Sequence, residues 1–410
     1  MVTVATAGTM GAMPSSPLSA VGGVLRARSG EFRDEVHRRF YLDVLEARQV
    51  FPLTLRETHV DLASSLAWVL ERTSSDGTLP DDVLARIRRL GVDHRRHGFP
   101  AEVYPAFLTA LRGGLRTVTA EHGGVDDPLV DAAGDVFARV CGAMADAARE
   151  ADMAGELPAS SAEVVSVERR SRRVSVIRLE SGLPVPYRAG QHLPVTASYL
   201  PGVWRTLSPA LPSDEHGQLE FHVRAHDTGS ASHLLATTRP GDYWTLGAPR
   251  GGLRVRGDRG IVMIAHSTGL APLRAILFEL LTAENPPSVH LFFGAEYPGE
   301  LYDLMSLWQL SKALSWLTVV PVVEHAEDAW WVRSTVPPQA LQRLAPRVRR
   351  EIGEVVTDAG PWPHYEMLVA GEADRVRGTV DTLLAGGITA ENIQAEAWER
   401  TEEWPAKGPR

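Results

Sequence analysis

The sequence predicts a multidomain chain in three successive parts: an all-α segment, a small antiparallel β-barrel, and an α/β domain built on a parallel nucleotide-binding sheet. Three observations predict it. Apolar residues recur at three- and four-residue spacing from about Val24 to Met153, with no strand signal. Period-two runs punctuated by glycine and proline then continue to about Leu253. From Gly260, continuous apolar runs alternate with helical stretches, the pattern of buried parallel strands. A chain of 410 residues is also too long for one ordinary core.

Composition narrows the function classes. At 44% hydrophobic and 23% charged, the chain reads as soluble and globular. A net charge of −9 and a pI near 5.9 argue against nucleic acid or anionic membrane as partners. The lone Cys141 excludes an intramolecular disulfide and any multi-cysteine metal site, and fits a reducing cytoplasm. No run approaches the ~18 apolar residues of a membrane span. The expected boundaries are a disordered tail over 1–24, a helical domain over 25–155 and a linker over 156–162. The barrel is expected over 163–256, the α/β domain over 257–402 and a final tail over 403–410.

In the helical segment Phe32, Val36, Phe40 and Val44 mark one apolar face, and Leu62, Leu66, Val69 and Leu70 another. Leu84, Ile87 and Leu90 continue the pattern, followed by Phe107, Leu108, Leu111 and Leu115, then Val136, Val140, Ala143 and Ala147. Its chemistry candidates are His94 and His97, in LGVDHRRHGFPAEVY, where a helix closes at Gly98 and Pro100 opens the next. An imidazole at such a bend can ligate a metal such as haem iron. Histidines and arginines at a helix end also complement its dipole. The residues alone leave both readings open.

Phe51-Pro52, the phrase LGVDHRRHGF and Tyr104 ten residues after His94 resemble the globin domain of flavohaemoglobins, in particular actinobacterial globin–reductase fusions. The resemblance implies that His94 is the proximal haem ligand and metal-binding residue. It makes Tyr104 the tyrosine that hydrogen-bonds on the proximal side, and Phe51 the phenylalanine packed on the haem. The distal side departs from the family. Thr58 stands where glutamine is usual, and the distal tyrosine position falls on His37 or, with a gap, on Tyr41. Asp146 and Glu150 are the acids near the proximal glutamate position.

In the barrel, Tyr187-Arg-Ala-Gly190-Gln191-His is a glycine turn leading into alternating strand. Arg205 and Ser208 are a cation and a hydroxyl on an extended segment that Pro209 interrupts. They suit a phosphate-bearing planar cofactor. The stretch resembles the flavin domain of the ferredoxin-reductase superfamily. Arg205 and Ser208 match its R-x-Y-S motif, with Leu207 in place of the tyrosine that lies on the flavin ring. Gly229-Ser-Ala-Ser232 matches its G-x-x-S element, where a glycine turn presents backbone N–H groups to a phosphate.

In the α/β part, strand–loop–helix units place loops at strand C-termini, the dinucleotide arrangement. Thr268-Gly269-Leu-Ala271-Pro272 resembles the family's G-G-T-G-x-A-P loop, with His266 and Ser267 where glycines are usual. Side chains there are expected to crowd the loop, although Ser267 can donate its hydroxyl to a phosphate. Gly294-Ala-Glu296 replaces the arginine of a G-A-R element with an acid, which favours NADH over NADPH. Ala370-Gly371 matches the V-C-G corner without its cysteine. Glu396-Ala-Trp398 matches the closing E-x-F, with Glu396 near hydride transfer and Trp398 over the flavin. The resemblance implies haem b, FAD and NADH, with NADPH possible, in a monomer or homodimer that oxidises nitric oxide to nitrate with O2. The alternatives are a reductase with another acceptor and a gas or redox sensor of weak turnover.

Overall fold

The computed structural model describes residues 16–47, 61–74, 76–120, 125–200, 203–226, 231–257, 259–332, 337 and 344–398. The chain divides into two compact units, whose described parts are residues 16–159 and 160–398.

The first unit is helical: α1 Ser19–Ala27, α2 Ser29–Asp43, α3 Leu62–Arg72, α4 Asp81–His94, α5 Tyr104–Thr119 and α6 Asp127–Met153. The spacing read from sequence is what these helices bury. Phe32, Val36 and Phe40 of α2, Leu70 of α3, Ile87 of α4, Leu111 and Leu115 of α5 and Phe137 of α6 form one core. The long α6 is started by Asp126, whose side chain accepts from the Leu129 amide, with a proline in the first turn. One expectation is corrected here. The tail expected over 1–24 is helical from Ser19, because Val21, Val24 and Leu25 lie on one face and are buried in the same core.

The second unit begins with the barrel strands β1 Ala159–Arg169, β2 Val174–Ser181, β3 Leu193–Ala197, β4 Arg205–Leu207, β5 Gln218–Arg224 and β6 Tyr243–Gly247. A short helix, α7 Ala231–Ala236, lies between β5 and β6. Strand β1 starts within the linker expected over 156–162, since Ala162 pairs with Ser181 and points into the core. The strand order is β4-β3-β6-β1-β2-β5. Its two edges meet where Pro209 bridges Phe221 and the Ala210 amide donates to the Glu220 carbonyl at 2.7 Å. Pro209 therefore ends the β4–β3 ladder and carries the chain across to β5, which makes the sheet a near-barrel.

The α/β part follows with β7 Gly260–His266, α8 Leu270–Leu280, β8 Val289–Ala295, α9 Leu304–Ala313, β9 Leu317–Val323 and β10 Arg347–Val348. It ends with α10 Ile352–Ala359, β11 Tyr365–Glu372, α11 Ala373–Ala385 and β12 Ile393–Trp398. The sheet order is β10-β9-β8-β7-β11-β12, with parallel pairing throughout. From β7 the chain winds outward to β10, then returns to β11 on the other side of β7. The crevice beyond the C-terminal ends of β7 and β11 is thus the switch point at which such sheets bind ligands.

A buried charge network ties the barrel to this sheet. Glu220 of β5 accepts from Arg178 Nε and Arg274 Nη1, both at 2.8 Å, and lies 3.1 Å from His222 Nε2. His222 Nδ1 lies 2.8 Å from the Tyr302 hydroxyl, and Arg274 of α8 also pairs with Asp303 at 3.0 Å. Burial alone would raise the Glu220 carboxyl, but the His222 hydrogen bond, the Arg274 charge and the Arg178 hydrogen bond hold it at about 2. Removing this one carboxylate leaves the buried Arg274 guanidinium with Asp303 alone and takes the acid partner from the buried His222. Glu220→Ala is expected to destabilise the second unit by ~3–5 kcal/mol, read from its urea unfolding midpoint. The carboxyl is held below its ordinary value of 4.5, so its contribution is present above that pH and is lost as pH falls through about 2. Glu220→Gln should accordingly flatten stability against pH across that acidic window.

Candidate functional site

The glycine turn before β3 is fixed by close backbone contact. A Cβ on Gly190, at φ +86°, would sit 2.3 Å from the Leu253 carbonyl oxygen, so only glycine fits there. Arg188 secures the same junction by donating to the Leu253 and Ala189 carbonyls at 2.6 and 2.8 Å. This turn sets the start of β3, whose register then positions β4: Leu193 pairs with Leu207 and Val195 with Arg205.

Arg205 opens β4 and donates to the Trp204 carbonyl at 2.8 Å, and among the described residues no carboxylate pairs with it. Leu207 packs on the barrel core. Ser208, one residue beyond the last β4 pair, is buried and its Oγ has no hydrogen-bond partner among the described residues. A buried hydroxyl without a partner is costly unless something else satisfies it. With the Arg205 guanidinium three residues away, paired with no carboxylate among the described residues, it fits a phosphate-bearing cofactor with polar ring atoms such as FAD. Ser232 lies in the first turn of α7 and its Oγ accepts from the His226 amide at 3.4 Å. Gly229 lies outside the described residues.

At the switch point, β7 leads into a 3₁₀ turn over Ser267–Gly269 and then α8. A Cβ on Gly269 would sit 2.0 Å from the Ala370 carbonyl oxygen, so the loop lies directly on the end of β11 at Gly371. Thr268 is partly buried in this turn. Ser267 adopts φ +52°, rare for a residue with a side chain, and its Oγ accepts from Arg224 of β5 at 2.9 Å. His266 does not crowd the loop as expected. Its Nε2 lies 2.9 Å from Thr379 Oγ1, which in turn donates to Glu351 at 2.8 Å, so the ring is turned toward α11. Burial, with the nearby Arg375 charge, holds this imidazole down at about 4.

Glu296, at the end of β8, is engaged by Arg173 from the barrel at 2.8 Å, and Arg173 also reaches Glu300 at 3.5 Å. Burial raises the Glu296 carboxyl, but the Arg173 hydrogen bond and charge outweigh it and lower the net value. On β12, Glu396 pairs with Ala370 and Trp398 with Glu372. Trp398 packs on the core cluster shared by the barrel and α8. Glu396 is buried, with Oε1 2.7 Å from His192 Nδ1. His192 is the functional candidate that sequence reasoning missed; its only signal was its place directly after Gly190-Gln191.

In the helical unit, His94 ends α4 and its Nδ1 lies 2.8 Å from the Leu90 carbonyl. That oxygen can only accept, so Nδ1 carries the proton and the lone pair falls on Nε2, the form needed by a metal ligand. The helix then tightens over Arg95–His97 and stops at Gly98, φ +77°. His37 and Tyr41 stack one turn apart on α2, ring centroids 5.4 Å apart. Burial lowers the His37 imidazole and raises the Tyr41 phenol. Between them Phe40 meets Phe107 and Phe99 at 5.2 and 6.0 Å. Tyr104 packs on Ala101, Ala145 and Ala148 and makes no hydrogen bond to His94 among the described residues. Asp146 is held by Arg149 and Glu150 by Arg88, so neither acid is poised at His94. Phe51 and Thr58 lie outside the described residues.

Two outcomes follow from the switch-point geometry. Gly269→Ala forces a methyl against fixed backbone, so NADH affinity in calorimetric titration should fall at least about tenfold, with FAD content unchanged. His266 is held below its ordinary 6.5, so the unfolded chain binds the extra proton between that value and about 4. Stability therefore falls as pH drops through this window, and His266→Gln should flatten the melting temperature across it.

Two family models match the second unit: an oxidoreductase FAD-binding domain over residues 160–255 and an oxidoreductase NAD-binding domain over residues 263–361. The phenol hydroxylase P5 protein of Acinetobacter pittii (strain PHEA-2) is 28% identical over 192 residues, covering 45% of this chain and 54% of that protein. The NAD(P)H-flavin reductase of Aliivibrio fischeri is 26% identical over 180 residues, 42% of this chain and 75% of that protein. The chain spans about half the length of the first curated relatives it matches. Among solved structures, a flavohemoglobin from Malassezia yamatoensis with bound FAD and heme superposes with a TM-score of 0.64 at 16% identity. That match covers 94% of this chain and 100% of the other, and concerns the fold alone. The chain thus carries FAD-binding and NAD-binding domains of the ferredoxin-reductase type behind an N-terminal helical region.

Proposed function

We propose that the chain is a flavohaem oxidoreductase in which NADH reduces FAD in the barrel and single electrons then reach haem b in the helical unit. The activity read from this arrangement is oxidation of nitric oxide by O2 to nitrate. The observation that carries the haem half is His94: a helix-end imidazole with Nδ1 on the Leu90 carbonyl, a contact that assigns the acceptor role in the neutral ring to Nε2. FAD, when bound, supplies the conversion of a two-electron hydride into single electrons, and haem supplies the O2 site.

The chain's own residues bind and orient. Arg205 and Ser208 offer a cation and a hydroxyl to the flavin nucleotide at the open end of β4. Gly269 and Gly371 let the loop after β7 lie directly on the end of β11 at the switch point, where a dinucleotide would bind, with Arg224 across the loop at Ser267. Glu296 is neutralised by Arg173, so the preference for NADH rests on how firmly that pair holds. On the distal side, burial raises the Tyr41 phenol, so of the stacked His37–Tyr41 pair Tyr41 is the hydroxyl this reading assigns as donor to bound O2.

A second reading has a specific observation in its favour. The relatives that match by sequence are named as a phenol hydroxylase protein and a flavin reductase, which points to a reductase with another electron acceptor. Two measurements separate the readings. His94→Ala should lose the haem Soret band while keeping FAD; a variant that keeps its haem removes His94 from its role. Nitric-oxide consumption by the haem-loaded protein with NADH in air should exceed that of free haem by at least ~100-fold. Consumption no faster than free haem would favour the reductase.

A further inference from the structure

His192 and Ser208 end the same stretch of ladder. Leu193 pairs with Leu207, and the two residues stand one step beyond that pair, His192 before β3 and Ser208 after β4. His192 also bridges Arg250 in the turn that leaves the barrel. From the other side comes Glu396 of β12, whose pairing with Ala370 sets it next to Gly371 at the switch point. Its Oε1 lies 2.7 Å from His192 Nδ1, with the two side chains only 15% and 8% exposed. The approach is an ion-pair contact, close but not aligned as a hydrogen bond. A Cβ on Gly251 would come within 2.8 Å of His192 Cε1 and 3.5 Å of Nε2, so glycine leaves that edge of the ring open. The pair therefore sits between the Ser208 hydroxyl, which is buried with no hydrogen-bond partner among the described residues, and the switch-point crevice. The other charges around it are Arg188, which donates to the Gly251 and Leu253 carbonyls, and Arg250.

Proton balance gives this pair a task. When NADH delivers a hydride and two one-electron acceptors each remove an electron, the sum is NADH + 2 acceptors(oxidised) → NAD⁺ + 2 acceptors(reduced) + H⁺. One proton must leave a site that is largely closed to water. We propose that His192, held by Glu396, takes up that proton and passes it to solvent. The bond that breaks is an N–H on the reduced cofactor, and the bond that forms is His192 Nε2–H. Both electrons go to the acceptors, and the Glu396 carboxylate balances the imidazolium charge. This assignment rests on the FAD reading above.

The test is the flavin midpoint potential as a function of pH, measured by spectroelectrochemistry on the FAD-loaded full chain. A group whose proton affinity depends on the flavin's redox state bends that line. The wild type is expected to bend, His192→Gln to lose the bend, and Glu396→Gln to move it toward acid. Reoxidation by ferricyanide should slow about 100-fold in His192→Gln. A straight wild-type line, a bend that survives in His192→Gln, or one that Glu396→Gln leaves in place would overturn the assignment. If His192→Gln fails to hold FAD, Glu396→Gln alone decides. A wild type that binds no flavin sinks the FAD reading instead, and its missing flavin absorption distinguishes the two failures.

Discussion

The Glu220 carboxylate is the constraint on which the arrangement of the second unit depends. It is buried, and it is gripped at once by Arg178 on the neighbouring barrel strand, Arg274 on α8 and His222 on its own strand. A buried anion is tolerated only when its partners are complete, so the barrel edge and the sheet helix cannot drift apart without exposing uncompensated charge. Asp303 and Tyr302 extend the same network to the loop before α9. What this holds in place is chemical. The end of β4 with Ser208, the His192–Glu396 contact and the Gly269–Gly371 crossing all lie where the two parts meet.

Much of the fold was legible from period alone. The period-two runs became β1, β2 and β5, and the continuous apolar runs became β7, β8, β9 and β11, because pleating and two-sided burial write themselves into the sequence. Strand β12 was visible only as a motif, and the two-residue β10 is too short to carry a period. The helix α1 was hidden inside a small-residue tail whose burial depends on α3, a partner far along the chain.

The candidate site was legible where it depended on local chemistry and opaque where it depended on distant partners. Arg205, Ser208, Gly269 and Glu396 carry motifs; Arg205 and Ser208 lie at the two ends of β4, Gly269 on the end of β11, and Glu396 against His192 of the barrel. Glu296 was read as a bare acid because Arg173 lies more than a hundred residues away. His266 is instructive in a different way. It closes β7 two residues after Ile264 and four after Val262, and strand parity puts all three on the α10–α11 face. Parity was available in the sequence; comparison with a glycine-rich loop obscured it.

The haem reading of the helical unit rests on one contact, from His94 Nδ1 to the Leu90 carbonyl, which assigns the acceptor role in the neutral ring to Nε2. The most direct test of an electron path from NADH through FAD to that iron is the visible spectrum of the purified protein before and after anaerobic NADH. The path predicts a flavin band and a Soret band at the outset, then loss of flavin colour and a Soret shift to ferrous haem. Flavin that bleaches while the Soret band is absent or unmoved would contradict it.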